Sequence, residues 1–209
     1  MKFVSLISSG IDSPVATYLI SKKADELILV HADNRPLTDD KEIENFIKIA
    51  NYIKKLVSCP IRVYLIPNGK NLIEFKEKCN NRLTCVFCKR MILRYAEKIL
   101  EKENAGSIVM GDSLGQVASQ TLQNIRTIEQ AIKALVLRPL IGLDKEDIVK
   151  IAKEIGTYDI SILPSNGCSA VPKKPSTRAK IDDILAEEEK IDVQKMVKKS
   201  LTNSTFLID

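Results

Sequence analysis

The sequence has no tryptophan, one histidine and an aromatic content of only 5% over 209 residues. Surfaces that bind single-stranded nucleic acids stack bases on aromatic rings, so a module of that kind has little material here. No apolar run reaches the roughly 18 residues of a membrane span. The N-terminus also lacks the basic and apolar segments of a secretory signal. We therefore expect a cytoplasmic protein without membrane contact.

The charge and cysteine content narrow the class further. Lysine and arginine total 32 against 27 acidic residues, which gives a net charge of +5. This balance permits nucleic-acid binding without arguing for it. A hydrophobic content of 44% with 28% charged residues excludes a disordered tail or a coiled-coil rod. Five cysteines form an odd set without a secretory signal, which favours metal or catalytic use over disulfides.

Short apolar segments alternate with amphipathic ones along the chain. Strands are predicted at residues 3–8, 27–30, 61–66 and 107–110. A first helix is predicted to begin with Ser13 as its N-cap and Pro14 as its first residue. Further helices are predicted at residues 41–57, 89–103, 119–135 and 178–200, and from Asp144 to a stop at Gly156. Such alternation predicts βαβ units and hence a doubly wound α/β domain with a mostly parallel sheet. We assign residues 1–175 to this domain and residues 176–209 to a short helical C-terminal extension.

In doubly wound sheets, ligands bind outside the carboxyl ends of the strands. The turns at residues 8–13, 31–36 and 111–115 should therefore converge on one crevice. The first of these, Ser-Ser-Gly-Ile-Asp-Ser, joins a strand to a helix start, where backbone N–H groups and the helix dipole attract phosphate. It is neither a Walker A loop nor a GxGxxG fingerprint. On these six residues alone, an ordinary tight turn remains an open alternative.

Three cysteines form a pattern of their own. Cys85 and Cys88 are a CxxC pair just before the helix predicted to start near Lys89, and Cys168 lies in a loop over residues 164–177. A helix N-terminus with Lys89 and Arg90 nearby should favour thiolates. Two thiolates from one segment and one from another make a three-ligand metal site with an open position. The alternatives are a redox pair, a zinc site completed by Cys79 or His31, and buried thiols.

Two segments carry a family resemblance. The turn at residues 8–13 resembles the SGGxDS loop of ATP pyrophosphatases, which adenylate a carbonyl oxygen and release pyrophosphate; Ser9 replaces the first glycine. Gly111 to Leu122, GDSLGQVASQTL, resembles the signature of the ThiI family of tRNA 4-thiouridine synthetases. The stretches IDSPVA from Ile11, RPLIGLDK from Arg138 with the IAKEIGTY that follows, and Arg90-Met91 are similar to the same family.

The resemblance implies a PP-loop ATP pyrophosphatase fold and a set of ATP contacts. Carried over residue by residue, these are Leu6, Ile7, Ser8, Ser9, Gly10, Asp12, Ser13, His31, Ala32, Lys89, Gly111 and Gln120. Asp12 would be the catalytic carboxylate that acts with Mg. Lys89 stands where the family commonly has arginine, which puts planar bidentate contact in doubt. For His31, a packed strand-end residue remains an open alternative.

The resemblance also bears on the cysteines. Archaeal ThiI-like proteins with a CxxC and a later loop cysteine are similar to 4Fe-4S enzymes, which implies a cluster on Cys85, Cys88 and Cys168, with zinc as the alternative. Cys168 also stands where other members carry the cysteine that receives sulfur as a persulfide. It is therefore the second catalytic candidate beside Asp12.

The implied function is an ATP-dependent sulfurtransferase that adenylates a tRNA uridine and replaces its O4 with sulfur, giving 4-thiouridine. Thiolation or amidation of a small molecule, or a non-catalytic nucleotide-binding subunit, are the alternatives. Family members carry an N-terminal THUMP region, whereas here the loop begins at residue 8. We therefore expect RNA to be held by lysines such as Lys173, Lys174, Arg178 and Lys180 or by a separate THUMP-type subunit. Sulfide or a sulfur-donor protein and a homodimer are further implied partners.

Overall fold

A computed structural model describes residues 1–208 and contains one six-stranded sheet with the order β5-β4-β1-β2-β3-β6. The strands are β1 Lys2–Leu6, β2 Glu26–Asp33, β3 Ile61–Pro67, β4 Ser107–Val109, β5 Val136–Leu137 and β6 Thr205–Ile208. Strands β1 to β5 are parallel, and β6 pairs antiparallel with β3. The predicted mostly parallel sheet is confirmed.

Helices cover both faces of this sheet, as a doubly wound fold requires. They are α1 Asp12–Ser21, α2 Asp40–Leu56, α3 Gly69–Lys78, α4 Thr84–Glu103, α5 Leu122–Glu129, α6 Lys145–Glu154, α7 Tyr158–Ser161, α8 Ile181–Glu188 and α9 Val193–Thr202. Helices α1, α2 and α6 pack into one apolar core, and α3, α4, α5, α8 and α9 pack into the other. The α/β class is therefore confirmed.

The strand order places a ligand crevice at β1. This strand pairs with β2 on one side and with β4 on the other; the connection from β1 runs to β2 and that from β4 runs to β5, so these two neighbouring strands send their connections in opposite directions. Such a switch point leaves a crevice at the carboxyl ends of the strands. The residues that follow β1, β2 and β4 meet there.

Helix α4 begins earlier than the sequence pattern predicted. It starts at Thr84 instead of near Lys89, so Cys85 and Cys88 are the second and fifth residues of the helix. A 3₁₀ turn over Asn81–Leu83 leads into it, and the Thr84 hydroxyl donates to the Asn81 carbonyl at 2.8 Å. Residues three apart on a helix share a face. The two cysteines therefore point the same way.

Several other boundaries differ from the predictions. Helix α1 starts at Asp12, so Ser13 is not its N-cap. The helix predicted over 119–135 is a 3₁₀ turn and the shorter α5, and the one over 178–200 is two helices, α8 and α9. Helix α3 and strands β5 and β6 were not predicted. The stop at Gly156 is confirmed, since its φ of +77° suits a glycine.

The C-terminal segment packs onto the sheet. Glu188 of α8 accepts hydrogen bonds from Arg90 and Arg94 of α4, with the Nε of Arg90 at 2.8 Å, and β6 extends the sheet at β3. The domain boundary at residue 175 stays a prediction. Within residues 1–208, no helix combines the length and the apolar character that a bilayer crossing demands.

Candidate active site

One cavity of about 460 Å³ lies at the switch point. The ends of β1, β2 and β4, the first turn of α1, residues Lys89 and Ile92 of α4, and the loop before Cys168 all contribute to its wall. The structure brings together there all twelve residues that the family resemblance assigned to ATP: Leu6, Ile7, Ser8, Ser9, Gly10, Asp12, Ser13, His31, Ala32, Lys89, Gly111 and Gln120. Cys168 lines the same cavity, whereas Cys85 and Cys88 lie outside its lining.

The turn at residues 8–13 is held by its own serines. The Ser8 amide donates to Ser13 Oγ at 2.8 Å, and the Gly10 amide donates to Ser8 Oγ at 3.3 Å. The Ser13 side chain, from within α1, therefore forms the hydrogen bond that holds the loop. Because its hydroxyl is used there, Ser13 does not cap the helix. The amides of Ile11 and Asp12 find no acceptor among residues 1–208. Free amides at a helix start form an anion site.

A second loop presses directly on this turn. A Cβ on Gly111 would lie 2.7 Å from both the Cα and the nitrogen of Ser13. No real side chain tolerates that distance, so glycine is required for the two loops to touch. The loop continues through Gly115, whose φ is +75°, to Gln120. Gly111 therefore fixes the width of the crevice.

Asp112 is the electrostatic centre of this loop. It is buried, and its carboxylate accepts from Lys89 Nζ at 2.6 Å, Arg138 Nε at 3.3 Å and Gln120 Nε2 at 3.5 Å. Burial alone would raise the pKa of the Asp112 carboxyl, but the neighbouring Lys89 and Arg138 lower it below its usual value. Asp112 therefore holds two residues proposed to contact ATP, a role that the sequence reasoning missed.

His31 lies at the opposite wall of the cavity. Its ring stacks on Phe46 with centroids 4.1 Å apart, Nδ1 donates to the Ile7 carbonyl at 2.8 Å, and Nε2 lies 3.1 Å from a Glu42 carboxylate oxygen. Glu42 also accepts from the Ser9 hydroxyl at 3.2 Å. His31 is thus packed against its neighbours and also lines the cavity. Both ring nitrogens contact Ile7 and Glu42 and not the cysteines.

Two buried polar atoms in the cavity wall lack a hydrogen-bond partner within the described part of the chain. They are Thr38 Oγ1 and Gln120 Oε1. Arg138 Nη2, beside Asp112, is a third such atom. A buried polar atom without a partner costs about 1–3 kcal/mol. A bound polar ligand would relieve that cost at Gln120 and Thr38.

Asp12 forms an ion pair that the sequence analysis did not single out. Its carboxylate accepts from Nζ of Lys145, the first residue of α6. Lys145 belongs to the RPLIGLDK stretch from which the family resemblance was drawn, and that was the available signal. The pair places a flexible cation beside the phosphate loop.

Burial disfavours the thiolate forms of Cys85 and Cys88. Burial raises the pKa of Cys85, and it raises that of Cys88 to about 12; Cys168 raises both further, and Lys89 offsets the effect only in part. Arg90 does not help, because it is buried and paired with Glu188. Desolvation therefore outweighs the helix N-terminus, and the prediction of thiolates is wrong for these two residues.

The donor chemistry of the three cysteines suits a thiophilic metal or cluster. Cys85 and Cys88 share a helix face, and each is electrostatically coupled to Cys168. Asn68 Nδ2 also donates to Cys88 Sγ at 3.6 Å, a contact of the kind that supports metal-bound thiolates. Within residues 1–208, however, no group of three His, Cys, Asp or Glu side chains has metal-binding geometry. Cys79, which donates to the Glu187 carbonyl at 3.3 Å, is held elsewhere.

Comparisons with known proteins agree with this geometry. The family described as "Thiamine biosynthesis protein (ThiI)" matches residues 1–193. A "Probable tRNA sulfurtransferase" of Methanobrevibacter smithii is 46% identical over 184 residues, which cover 88% of this chain and 48% of the relative. One of Methanothermobacter thermautotrophicus is 43% identical over 197 residues, covering 94% and 51%. The chain thus spans about half the length of the curated relatives it matches.

Solved structures show the same relation. A 4-thiouridine synthetase in complex with RNA and ATP superposes with a TM-score of 0.94 at 34% identity, covering all of this chain and 55% of that one. The NMN synthetase of Francisella tularensis superposes with a TM-score of 0.57 at 14% identity, over 96% and 83% of the two chains, and shares the fold alone. The family match over residues 1–193 and the identity to these relatives lead to one conclusion: the chain belongs to the ThiI family.

Proposed function

We propose that this chain carries the ATP-dependent chemistry of a tRNA sulfurtransferase, which converts a uridine to 4-thiouridine. The observation that carries the proposal is the single cavity that joins the phosphate loop at residues 8–13, the loop after β4 and Cys168. Nucleotide activation acts on O4 of the uridine and sulfur transfer acts on the adjacent C4, so the two steps need to occur in one place. The wall of this cavity carries candidate groups for nucleotide activation and for sulfur transfer, which supports both steps in one chain.

ATP would bind with its phosphates on the loop at residues 8–13. The free amides of Ile11 and Asp12 lie at the N-terminus of α1 and suit phosphate oxygens. Adenine would lie toward His31, Ala32 and Gln120. The unpaired Gln120 Oε1 accepts hydrogen bonds only, which suits the amino group of adenine.

In the first step, O4 of the uridine attacks the α-phosphorus of ATP and pyrophosphate leaves. Asp12 would hold Mg²⁺, which prefers carboxylate and phosphate oxygens and neutralises charge on the departing pyrophosphate. Lys145, freed from Asp12, would bind the phosphates. In the second step, sulfide or a sulfur donor's sulfur attacks C4 and AMP leaves with the original oxygen. The net reaction consumes uridine, ATP and hydrosulfide and gives 4-thiouridine, AMP and pyrophosphate.

Sulfur would arrive at Cys168, the cysteine in the cavity wall. A 4Fe-4S cluster on Cys85, Cys88 and Cys168 would, when bound, hold sulfide beside the activated carbon. Without a cluster, Cys168 would become a persulfide by taking sulfur from a donor persulfide, which is released as its thiol. The terminal sulfur would attack C4 and expel AMP, and a second thiol such as that of Cys85 would then attack Cys168 Sγ, which releases 4-thiouridine and leaves a disulfide in place of the two thiols. In both cases Asn68 would orient Cys88 through its hydrogen bond to Sγ.

The remaining parts of the proposal concern partners. The tRNA would be bound by this chain together with a THUMP-type region or subunit, and a sulfide source or sulfur-donor protein would supply sulfur. A homodimer and a cytoplasmic location follow from the family resemblance and stay predictions.

The function is tested by incubating the purified chain with an unmodified tRNA transcript, ATP, Mg²⁺ and sulfide, with and without a THUMP-type protein. We expect 4-thiouridine in the nuclease digest, and AMP in equal amount. Asp12→Asn should abolish both products, whereas Lys150→Ala, an exposed change on α6, should leave them unchanged. Absence of 4-thiouridine with all partners supplied would refute the proposal. AMP release that does not depend on RNA would instead favour a small-molecule substrate.

The cluster is tested separately by iron, zinc and acid-labile sulfide content on protein purified without oxygen. We expect about four irons per chain, lost in Cys85→Ala, Cys88→Ala and Cys168→Ala. Cys59→Ala is the matched control, because Cys59 lies before β3 at the opposite edge of the sheet. Zinc alone, or no metal after reconstitution, would remove the cluster and leave persulfide chemistry on Cys168.

A further inference from the structure

A second cavity lies on the same edge of the sheet as the candidate active site. It measures about 590 Å³ and is bounded by the end of β3, the start of α3 and one side of α9. Arg35 lines this cavity, and Asn34, the preceding residue, lines the active-site cavity. The two cavities are therefore neighbours across one turn of the chain. We call the second one the α3–α9 cavity.

Three lysines in the α3–α9 cavity carry unpaired charge. Lys70, Lys195 and Lys199 are exposed, and in the described part of the chain none of them has a carboxylate at ion-pair distance. Lys195 and Lys199 are four residues apart on α9, so they project from the same face. The neighbouring Met196 and Val197 are buried in the core, which fixes the orientation of that face.

The acidic residues of the cavity are engaged in other contacts. Glu74 pairs with Lys78 at 2.7 Å, and Asp192 caps α9 by accepting from the Lys195 amide at 2.9 Å. Arg35 is itself neutralised by Asp33 and Asp40, each at 2.6 Å. Asp192 keeps its charge, but the three lysines outnumber it and leave the cavity positively charged, so the ligand they suit is an anion with several charges.

We propose that the α3–α9 cavity binds the sugar–phosphate backbone of the RNA substrate beside the active site. This inference rests on the proposed function and adds to it the surface that holds the RNA. Contacts from lysine to phosphate supply affinity and register without reading sequence. A cavity next to the site where a uridine reacts would hold the strand that flanks that uridine.

The experiment is tRNA binding by fluorescence anisotropy, with an unmodified transcript and the complete chain over a series of salt concentrations. We expect the Lys195→Glu/Lys199→Glu variant to bind at least tenfold more weakly at the same salt. The slope of log affinity against log salt should fall by about 2, one for each lost phosphate contact. ATP affinity should stay unchanged, because neither lysine lines the active-site cavity.

The matched control is Lys48→Glu/Lys55→Glu, which makes the same change in net charge on α2, at the other face of the sheet. It should alter tRNA affinity less than threefold. Equal losses in both variants would show a general charge effect and overturn the proposal. If only Lys173→Glu/Lys174→Glu weakens tRNA binding, the RNA-binding surface is the loop over residues 164–177 and the proposal is overturned. The proposal is also overturned if the wild-type chain does not bind tRNA at low salt.

The two proposals fail in different ways. If the α9 variant loses tRNA affinity but no 4-thiouridine forms with every partner present, the binding surface stands and the proposed function fails. If 4-thiouridine forms, and Lys195→Glu/Lys199→Glu neither weakens tRNA binding nor raises the KM for tRNA, the proposed function stands and the proposed RNA-binding surface is refuted. Thermal unfolding of each variant, followed by circular dichroism, separates both results from misfolding.

Discussion

Lys145 forms an ion pair with Asp12, a residue of the candidate active-site cavity, although the two lie 133 positions apart in the chain. The contact joins the start of α6 to the start of α1. It gives the phosphate loop a cation that the loop itself lacks. If ATP and Mg²⁺ bind as proposed, the metal would take the Asp12 carboxylate, and the Lys145 ammonium group would be free to turn toward the phosphates.

The first prediction follows from this pair. Lys145→Ala should lower the rate of AMP formation by about 10²-fold or more, which is typical of removing one electrostatic stabiliser of a transition state. Lys145→Arg should recover part of that loss, because it keeps the charge. The measurement is single-turnover AMP release with tRNA and saturating ATP. A Lys145→Ala rate within threefold of the wild type would exclude a role in the chemistry.

Asp112 gives the second prediction, as a positioning residue. Asp112→Asn removes the charge that anchors Lys89 and Arg138, so it should raise the KM for ATP about tenfold, or about 1.4 kcal/mol, with a smaller change in kcat. Asp112→Glu should restore much of the affinity. Steady-state kinetics at varied ATP separate the two constants. A fall in kcat at constant KM would show that Asp112 acts on the reaction itself and not through Lys89.

The departure at Ser9 gives the third prediction. Its hydroxyl donates to Glu42, which also faces His31, but the loop itself is held by Ser8 and Ser13. Ser9→Gly restores the glycine of the family pattern and should change ATP affinity less than threefold, as measured by isothermal titration. Ser13→Ala, which breaks the internal bonds of the loop, is the contrasting variant and should weaken ATP binding strongly. Equal effects would mean that the loop depends on its link to Glu42.

The sequence predicted which residues share the candidate site better than it predicted their contacts. Residues at strand ends share one edge of a parallel sheet, so the grouping of Ser8, His31 and Gly111 follows from alternation alone. The Asp12–Lys145 pair does not follow from it, because a contact between two helix starts depends on how far the helices are rotated. The raised pKa of Cys88 was missed for a similar reason, since burial is set by tertiary packing.

The helices and strands that the sequence did not predict also depend on tertiary contacts. Helix α3 begins at Gly69, where a Cβ would lie 2.0 Å from the Arg35 carbonyl oxygen, so its start is set by a contact with a distant turn. Strand β6 has four residues and pairs at the edge of β3, and a segment this short has no periodicity to detect. The early start of α4 depends on the 3₁₀ turn before it. Local sequence patterns therefore predicted the long helices and strands. They did not predict the short elements and the helix starts that contacts with other parts of the chain determine.

The last prediction concerns Glu188, the buried carboxylate that joins α8 to α4. Burial would raise the pKa of this carboxyl, but Arg90 and Arg94 lower it below its usual value. The folded state therefore prefers the ionised form, so the contribution to stability is present at neutral pH and is lost as the pH falls through the acid range. Glu188→Gln leaves Arg90 buried without a counter-charge and should cost about 3 kcal/mol at pH 7.

Urea unfolding of both proteins at pH 7 and at pH 4 measures this difference. The gap between Glu188→Gln and the wild type should narrow at the lower pH, because the Glu188 carboxyl of the unfolded chain takes up a proton there that folding has to release. Glu187→Gln is the matched control: its carboxylate pairs with Lys190 near the surface, where an ion pair contributes only about 0–1 kcal/mol. A gap that stays constant with pH would mean that Glu188 stabilises the fold by packing rather than by charge.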